Sequence, residues 1–369
     1  MKILLVASLT PTTTGNYLIT AMREAGHELF VCSDVASPLD SLRVRGAVDV
    51  TQVCARHGLV PDLMLFVEGG TMRLFPTGLE RMSCLTAWYG IDTHMDYAKH
   101  LRIGRLFDMT FVAQKEFVER LRQDGLRQVY WLPLACAPEL YPQKEMHRCH
   151  DVAYVGSNSA TVHPVRHALL SAICKDFPNV FMGMTSPQEM GRVYAKAKMV
   201  FNKSVNNDVN MRYFEAMGAG AVLLTDHARD NGVEDLFNAG EHYLEYRDEL
   251  TLLALIRGLL QDPERCRRIG DAARRHVLEN HTYRHRAERL LDLVRQSRKL
   301  VALRPEDCFS ALVALNLSGA AVASAGRALV CSSGGVYTKL LGRLASLALL
   351  SLAVFLGALD KMRDLFRRS

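Results

Sequence analysis

Residues 152–156 read Val152-Ala153-Tyr154-Val155-Gly156. This short apolar run closed by a glycine decides the fold, because it restarts a pattern the chain has already used. A strand buried on both faces of a parallel sheet is a continuous apolar run rather than an alternation. Upstream, such runs occupy residues 3–7, 28–32, 63–67, 84–88, 109–112 and 129–132, with helical periods such as 17–25 and 115–123 between them. Downstream they recur at 180–182, 199–202, 221–225 and 243–246. Strands alternating with helical stretches imply parallel sheets joined by crossover helices. Two consecutive series predict two α/β units, residues 1–145 and 146–300, facing each other across a cleft. The break falls where Pro142, Gln143, Lys144 and Glu145 interrupt the apolar pattern.

Composition bounds what the units do. The 369 residues suit two domains of roughly 150 residues each plus a remainder. Net charge is +6, but residues 262–299 hold 11 Lys/Arg against 6 Asp/Glu and residues 339–369 hold 6 against 2. Those stretches supply +5 and +4, so the rest is slightly acidic, and no basic stripe argues for nucleic acid. The nine cysteines are scattered without metal-type spacing and read as reduced thiols. The apolar start, Met1 to Ala7, is too short for a signal peptide and reads as a first strand, which predicts a cytoplasmic body.

Three stretches carry chemistry. Thr12-Thr13-Thr14-Gly15-Asn16 follows the first strand, where a glycine-containing turn offers backbone N–H groups to a cleft. It lacks G-x-G-x-x-G spacing, which disfavours a dinucleotide cofactor; no cofactor is expected. Trp88-Tyr89-Gly90-Ile91-Asp92-Thr93-His94-Met95-Asp96 follows the fourth strand and makes Asp92 and His94 catalytic candidates, as base or as charge stabiliser. The third runs from Asn206 through Asn210, Arg212 and Glu215 to Gly218, Gly220 and Asp226. It reads as a polar loop, a short helix and a buried strand. A helix N-terminus with Arg212 can hold a pyrophosphate, and Glu215, one turn in, can accept hydrogen bonds from two ribose hydroxyls.

The Arg212–Asp226 stretch resembles the donor-site helix of GT-B glycosyltransferases, whose fold is two Rossmann-like domains, and in the retaining family 4 a Glu in this helix binds ribose. The chain is more similar still to the spore-maturation CgeB-type glycosyltransferase-like family. The shared residues are Phe111-Val112-Ala113-Gln114-Lys115, Trp131-Leu132-Pro133-Leu134-Ala135-Cys136, Val155-Gly156-Ser157, Arg212-Tyr213-Phe214-Glu215-Ala216 and His281-Thr282-Tyr283-Arg284-His285-Arg286-Ala287. The resemblance implies an acceptor-side first domain, with Gly15 and Asn16 on its loop, and a nucleotide-sugar domain second. Gly156, Ser157, Arg166, Lys203, Asn210, Arg212 and Glu215 become donor-binding candidates, and no metal is expected. Two positions depart from the pattern: Asn207 stands where retaining relatives carry the first Glu of an E-x7-E pair, and Ala137 replaces an acid. The first leaves stereochemistry open. The expected activity is transfer of a sugar to a cell-envelope, lipid-linked or protein acceptor. An epimerase or hydrolase on the same fold, or a non-catalytic nucleotide-sugar binder, are the alternatives; a homo-oligomer is compatible with either.

Residues 301–369 form a separate expectation. Residues 344–359 are uncharged and mostly Leu and Ala, flanked by Arg343 and by Lys361, Arg363, Arg367 and Arg368. This predicts a helical tail that is too short to span a bilayer and docks on an anionic membrane face or packs on protein.

Overall fold

A computed structural model describes residues 1–300, apart from 36–38, 70–71, 143 and 145. The expected hydrophobic tail lies outside the described residues. The first unit runs β1 (Lys2–Ala7), α1 (Thr14–Glu24), β2 (Glu28–Ser33), β3 (Leu42–Arg43), β4 (Gly46–Asp49), α2 (Val50–His57), β5 (Leu63–Val67) and β6 (Leu74–Thr77). It continues with β7 (Leu85–Gly90), α3 (Tyr97–Gly104), β8 (Met109–Val112), α4 (Glu116–Gln123) and β9 (Val129–Trp131). The second unit comprises β10 (His150–Val155), α5 (Pro164–Asp176), β11 (Val180–Gly183), α6 (Pro187–Ala195), β12 (Ala197–Phe201), α7 (Met211–Gly218), β13 (Val222–Asp226) and β14 (Tyr243–Tyr246). The helices α8 (Glu249–Gln261), α9 (Pro263–Asn280) and α10 (Tyr283–Gln296) follow.

Among the described residues the first sheet is ordered β3-β2-β1-β5-β7-β8-β9 and the second β11-β10-β12-β13-β14, every neighbouring pair parallel. Each order reverses once, beside β1 and beside β10. Open α/β sheets hold ligands beyond the strand carboxyl ends at that reversal. The turn after β1 and the turn after β10 are therefore the two walls of one cleft. The strands read from the sequence are all present. Strands β3, β4 and β6 were not expected; β4 and β6 form a separate two-stranded sheet over the first domain. Four residues such as Gly46-Ala47-Val48-Asp49 carry too little apolar pattern to announce a strand.

The last helix returns to the first domain and joins the two. Tyr283, at the start of α10, stacks on Tyr17 of α1 with ring centroids 5.0 Å apart. The Cys136 N–H donates to the His281 carbonyl at 2.8 Å, and the Tyr283 N–H donates to the Cys136 carbonyl at 3.0 Å. Arg286, nine-tenths buried, donates through Nε to the carbonyls of Pro133 (2.9 Å) and Leu134 (3.3 Å). Its Nη2 lies 3.1 Å from His281 Nδ1. Arginine can only donate, so His281 Nδ1 accepts and the ring proton sits on Nε2, which donates to the Leu236 carbonyl at 3.1 Å. Burial, with the adjacent Arg286 charge, pushes this imidazole down to about 3. Its neutral form is thus fixed by the joint it supports.

Candidate functional site

Helix α7 begins with Asn210, whose side chain accepts from the Arg212 N–H at 3.1 Å and donates to Asn202 Oδ1 at 3.2 Å. This cap satisfies an N–H group that a helix start leaves open. It also sets the Arg212 guanidinium against the ends of β10 and β12. Nε donates to Tyr194 Oη (3.2 Å), Nη1 to Asn202 Oδ1 (2.9 Å) and Nη2 to the Val155 carbonyl (2.9 Å), and the group lies 4.6 Å from the Tyr154 ring centre. Each Nη keeps a second hydrogen for a ligand. Burial opposes the Arg212 charge, but Tyr194, Tyr154 and Glu215 outweigh it and hold the group charged. Gly156 faces this guanidinium at φ 148°, and a Cβ there would meet Arg212 Nη2 at 3.1 Å. At the end of α7, Gly218 lets the helix close on the first domain; a Cβ would lie 2.8 Å from the Tyr141 ring.

Glu215 stands differently. No described residue donates a hydrogen bond to its carboxylate, and burial, only partly offset by Arg212, raises its pKa. It opens into a cavity of about 380 Å³ shared with Gly156, Arg166, Asn210 and Arg212 of the second domain and Thr12 and Tyr17 of the first. Arg166 has its Nε buried without a partner. Five of the seven donor candidates thus line one cavity. The other two do not: Ser157 lies beside it, and the Lys203 ammonium is engaged by Asp226 at 2.8 Å. Gly15 and Asn16 are also absent from the lining. Asn16 closes its own turn on the Thr10 carbonyl (2.6 Å), and the turn reaches the cavity through Thr12 and Tyr17 instead.

Asp92 and His94 sit in the cleft, facing the second domain's loop. The His94 carbonyl accepts from Asn206 Nδ2 at 3.4 Å, and both side chains are near enough to Asp208 to perturb it. Asp208 itself lines the cavity and was not singled out in the sequence. Its Oδ1 accepts from Gln114 Nε2 across the cleft at 3.3 Å. Burial pushes its carboxyl up to about 6, with His94 and Gln114 opposing and Asp92 and Glu116 adding. Beneath the Asp92 loop lies a support the sequence also did not reveal. Glu68, 4% exposed, accepts from the N–H groups of Ile91 (2.6 Å) and Asp92 (3.1 Å) and pairs with His100 Nε2 at 3.2 Å. His100 Nδ1 contacts Thr93 Oγ1 at 3.1 Å. Burial would raise the Glu68 pKa, but His100 and the two amides more than reverse this. Among the described residues no group of three or more His, Cys, Asp or Glu is arranged for a metal ion.

Residues 151–292 match the family model described as glycosyl transferase-like. No curated protein matches the chain. Solved structures do. One is sucrose-phosphate synthase from Thermosynechococcus elongatus, at 13% identity and TM-score 0.56, over 80% of this chain and 99% of that one. Another is Anabaena Alr3699/HepE in complex with UDP-glucose, at 13% identity and TM-score 0.58, over 80% and 100%. A third is an alpha-glucosyltransferase in complex with UDP and a 13-mer DNA, at 11% identity and TM-score 0.54, over 80% and 99%. The described residues have the GT-B fold, and residues 151–292 are similar to the glycosyl transferase-like family. Among the described residues no helix is long and apolar enough to cross a membrane.

Two outcomes follow from the wiring of the cleft. Glu68→Ala leaves the Ile91 and Asp92 N–H groups and His100 Nε2 without this partner, and should cost roughly 3 kcal/mol in denaturant unfolding. A loss under about 0.5 kcal/mol would show that the loop does not depend on it. Asp208 has a raised folded pKa, so the folded state binds more protons than the unfolded one between about pH 4 and 6. Its charge therefore destabilises the fold above that window and ceases to do so below it. Asp208→Asn should be more stable than the parent by about 1–3 kcal/mol at pH 7.5. The gain should shrink toward zero near pH 4, read as the difference between paired melting curves. A gain independent of pH would contradict the assignment.

Proposed function

We propose that the protein is a CgeB-type, metal-independent glycosyltransferase that moves a sugar from a nucleotide diphosphate sugar to an acceptor held against the first domain. The observation that carries this is the single cavity joining Arg212 and Glu215 to Thr12 and Tyr17. Its volume falls in the range of small-molecule sites. The solved relatives named for their complexes with UDP or UDP-glucose support a nucleotide donor.

In this reading the diphosphate lies against Arg212, Arg166 and the N-terminus of α7, where fixed donors stabilise the charge that grows as the glycosidic bond breaks. Glu215 takes the ribose diol: a carboxylate with no donor of its own is the complement of two hydroxyls. Asp92 and His94 face the sugar from the opposite wall, as proton acceptor or as countercharge to an oxocarbenium-like carbon. Closure of the cleft would exclude water from that step. Glu215→Ala should weaken UDP binding in titration calorimetry by roughly 2–4 kcal/mol, or about 30- to 1,000-fold, with the fold intact by circular dichroism. Unchanged affinity in a folded variant would remove Glu215 from the donor site.

A further inference from the structure

The cavity lining carries both signs of charge. On one side stand Arg212 and Arg166, with Glu215 next to Arg212. On the other Asp208 lines the wall, with Asp92 beside it, close enough to raise its pKa, and Glu116 exposed at the rim. Among the described residues no lysine or arginine forms an ion pair with any of these three carboxylates. The nearby cations form no ion pair with them: Lys99 acts on Asp92 only at a distance, Lys115 pairs with Asp235 at 2.6 Å while lying 5.5 Å from the Trp131 ring centre, and Arg229 Nε donates to His227 Nε2 at 2.9 Å.

A second observation is independent of charge. Gln114 is 4% exposed, its Nε2 donates to the Ile91 carbonyl (2.6 Å) and to Asp208 Oδ1 (3.3 Å), and its Oε1 is buried without a partner. Its carboxamide lies inside the cluster with an acceptor unfilled. His94 Nδ1 is likewise buried and unpartnered. Exchanging the amide atoms would turn Oε1 onto a carbonyl and a carboxylate, so the orientation is fixed. Buried polar atoms are seldom left without a partner unless water or a ligand supplies it. This end of the cavity is therefore short of hydrogen-bond donors and rich in negative charge.

On the donor-site reading above, the diphosphate occupies the arginine end and the transferred sugar extends toward Asp208. We propose that the Asp208 end is a charge filter for that sugar. It takes a neutral or ammonium-bearing sugar, whose O–H or N–H groups fill the vacant acceptors, and rejects one bearing a carboxylate. A uronic acid would bring a fourth negative group to this cluster, where Asp208 is buried and repulsion is weakly screened.

The test is calorimetric titration of the full chain at pH 7.5 with UDP, UDP-glucose, UDP-glucosamine and UDP-glucuronate. UDP-glucuronate should bind at least about tenfold more weakly than UDP-glucose, and UDP-glucosamine no more weakly than UDP-glucose. Asp208→Asn, and separately Asp92→Asn, should bring the glucose-to-glucuronate ratio below about threefold. Equal or tighter binding of UDP-glucuronate while UDP still binds overturns the filter and leaves the donor site standing. So does a ratio unmoved by both folded variants. Failure of UDP itself to bind overturns the donor reading and the filter with it.

Discussion

The Arg212 guanidinium is the interaction on which the rest depends. It is held at once by the end of β10 through the Val155 carbonyl, by the residue after β12 through Asn202, and by α6 through Tyr194. A buried cation with three good acceptors and an aromatic face is stable where an unpaired one would not be. By fixing α7 in place it also fixes Glu215, which gains an opposing charge but no hydrogen bond. The cavity thus takes its character from one arginine that is satisfied by the scaffold and the carboxylate beside it that is not.

The same economy governs the joint between domains. Arg286 and His281 determine each other's hydrogen-bonding roles, and the Tyr17–Tyr283 stack brings the first domain's turn to the rim of the second domain's pocket. Across the cleft the Glu68–His100 pair supports the Asp92 loop from below, while Gln114 reaches Asp208 from the side. The site is built from both domains and from buried polar pairs rather than from its exposed loops.

The two sheets were legible in the sequence because strands buried on both faces are continuous apolar runs. The Arg212–Glu215 spacing was legible because one helical turn carries it. What escaped notice did so for physical reasons. Asp208 sits in a run of asparagines where nothing local distinguishes it, and its elevated pKa comes from burial and from Asp92 and Glu116, more than 90 positions away in the chain. Glu68 is a lone acid after a strand, and only folding brings His100 to it. Lys203 was expected to face phosphate, yet Asp226, the last residue of the strand beside β12, engages it. Gly15 was read as part of the turn after β1, but it lies in the first turn of α1, packed close on Ala7 and Leu9, and it is Thr12 and Tyr17 that line the cavity.

The central claim is that one cavity between the two domains holds the donor and delivers its sugar. The most direct measurement is a crystal structure of the protein soaked with UDP-glucose. The account predicts density running from Arg212 past Gly156, with both ribose hydroxyls within hydrogen-bond distance of the Glu215 carboxylate and the hexose directed toward Asp208. A nucleotide bound elsewhere, or bound here with its ribose turned away from Glu215, would contradict it.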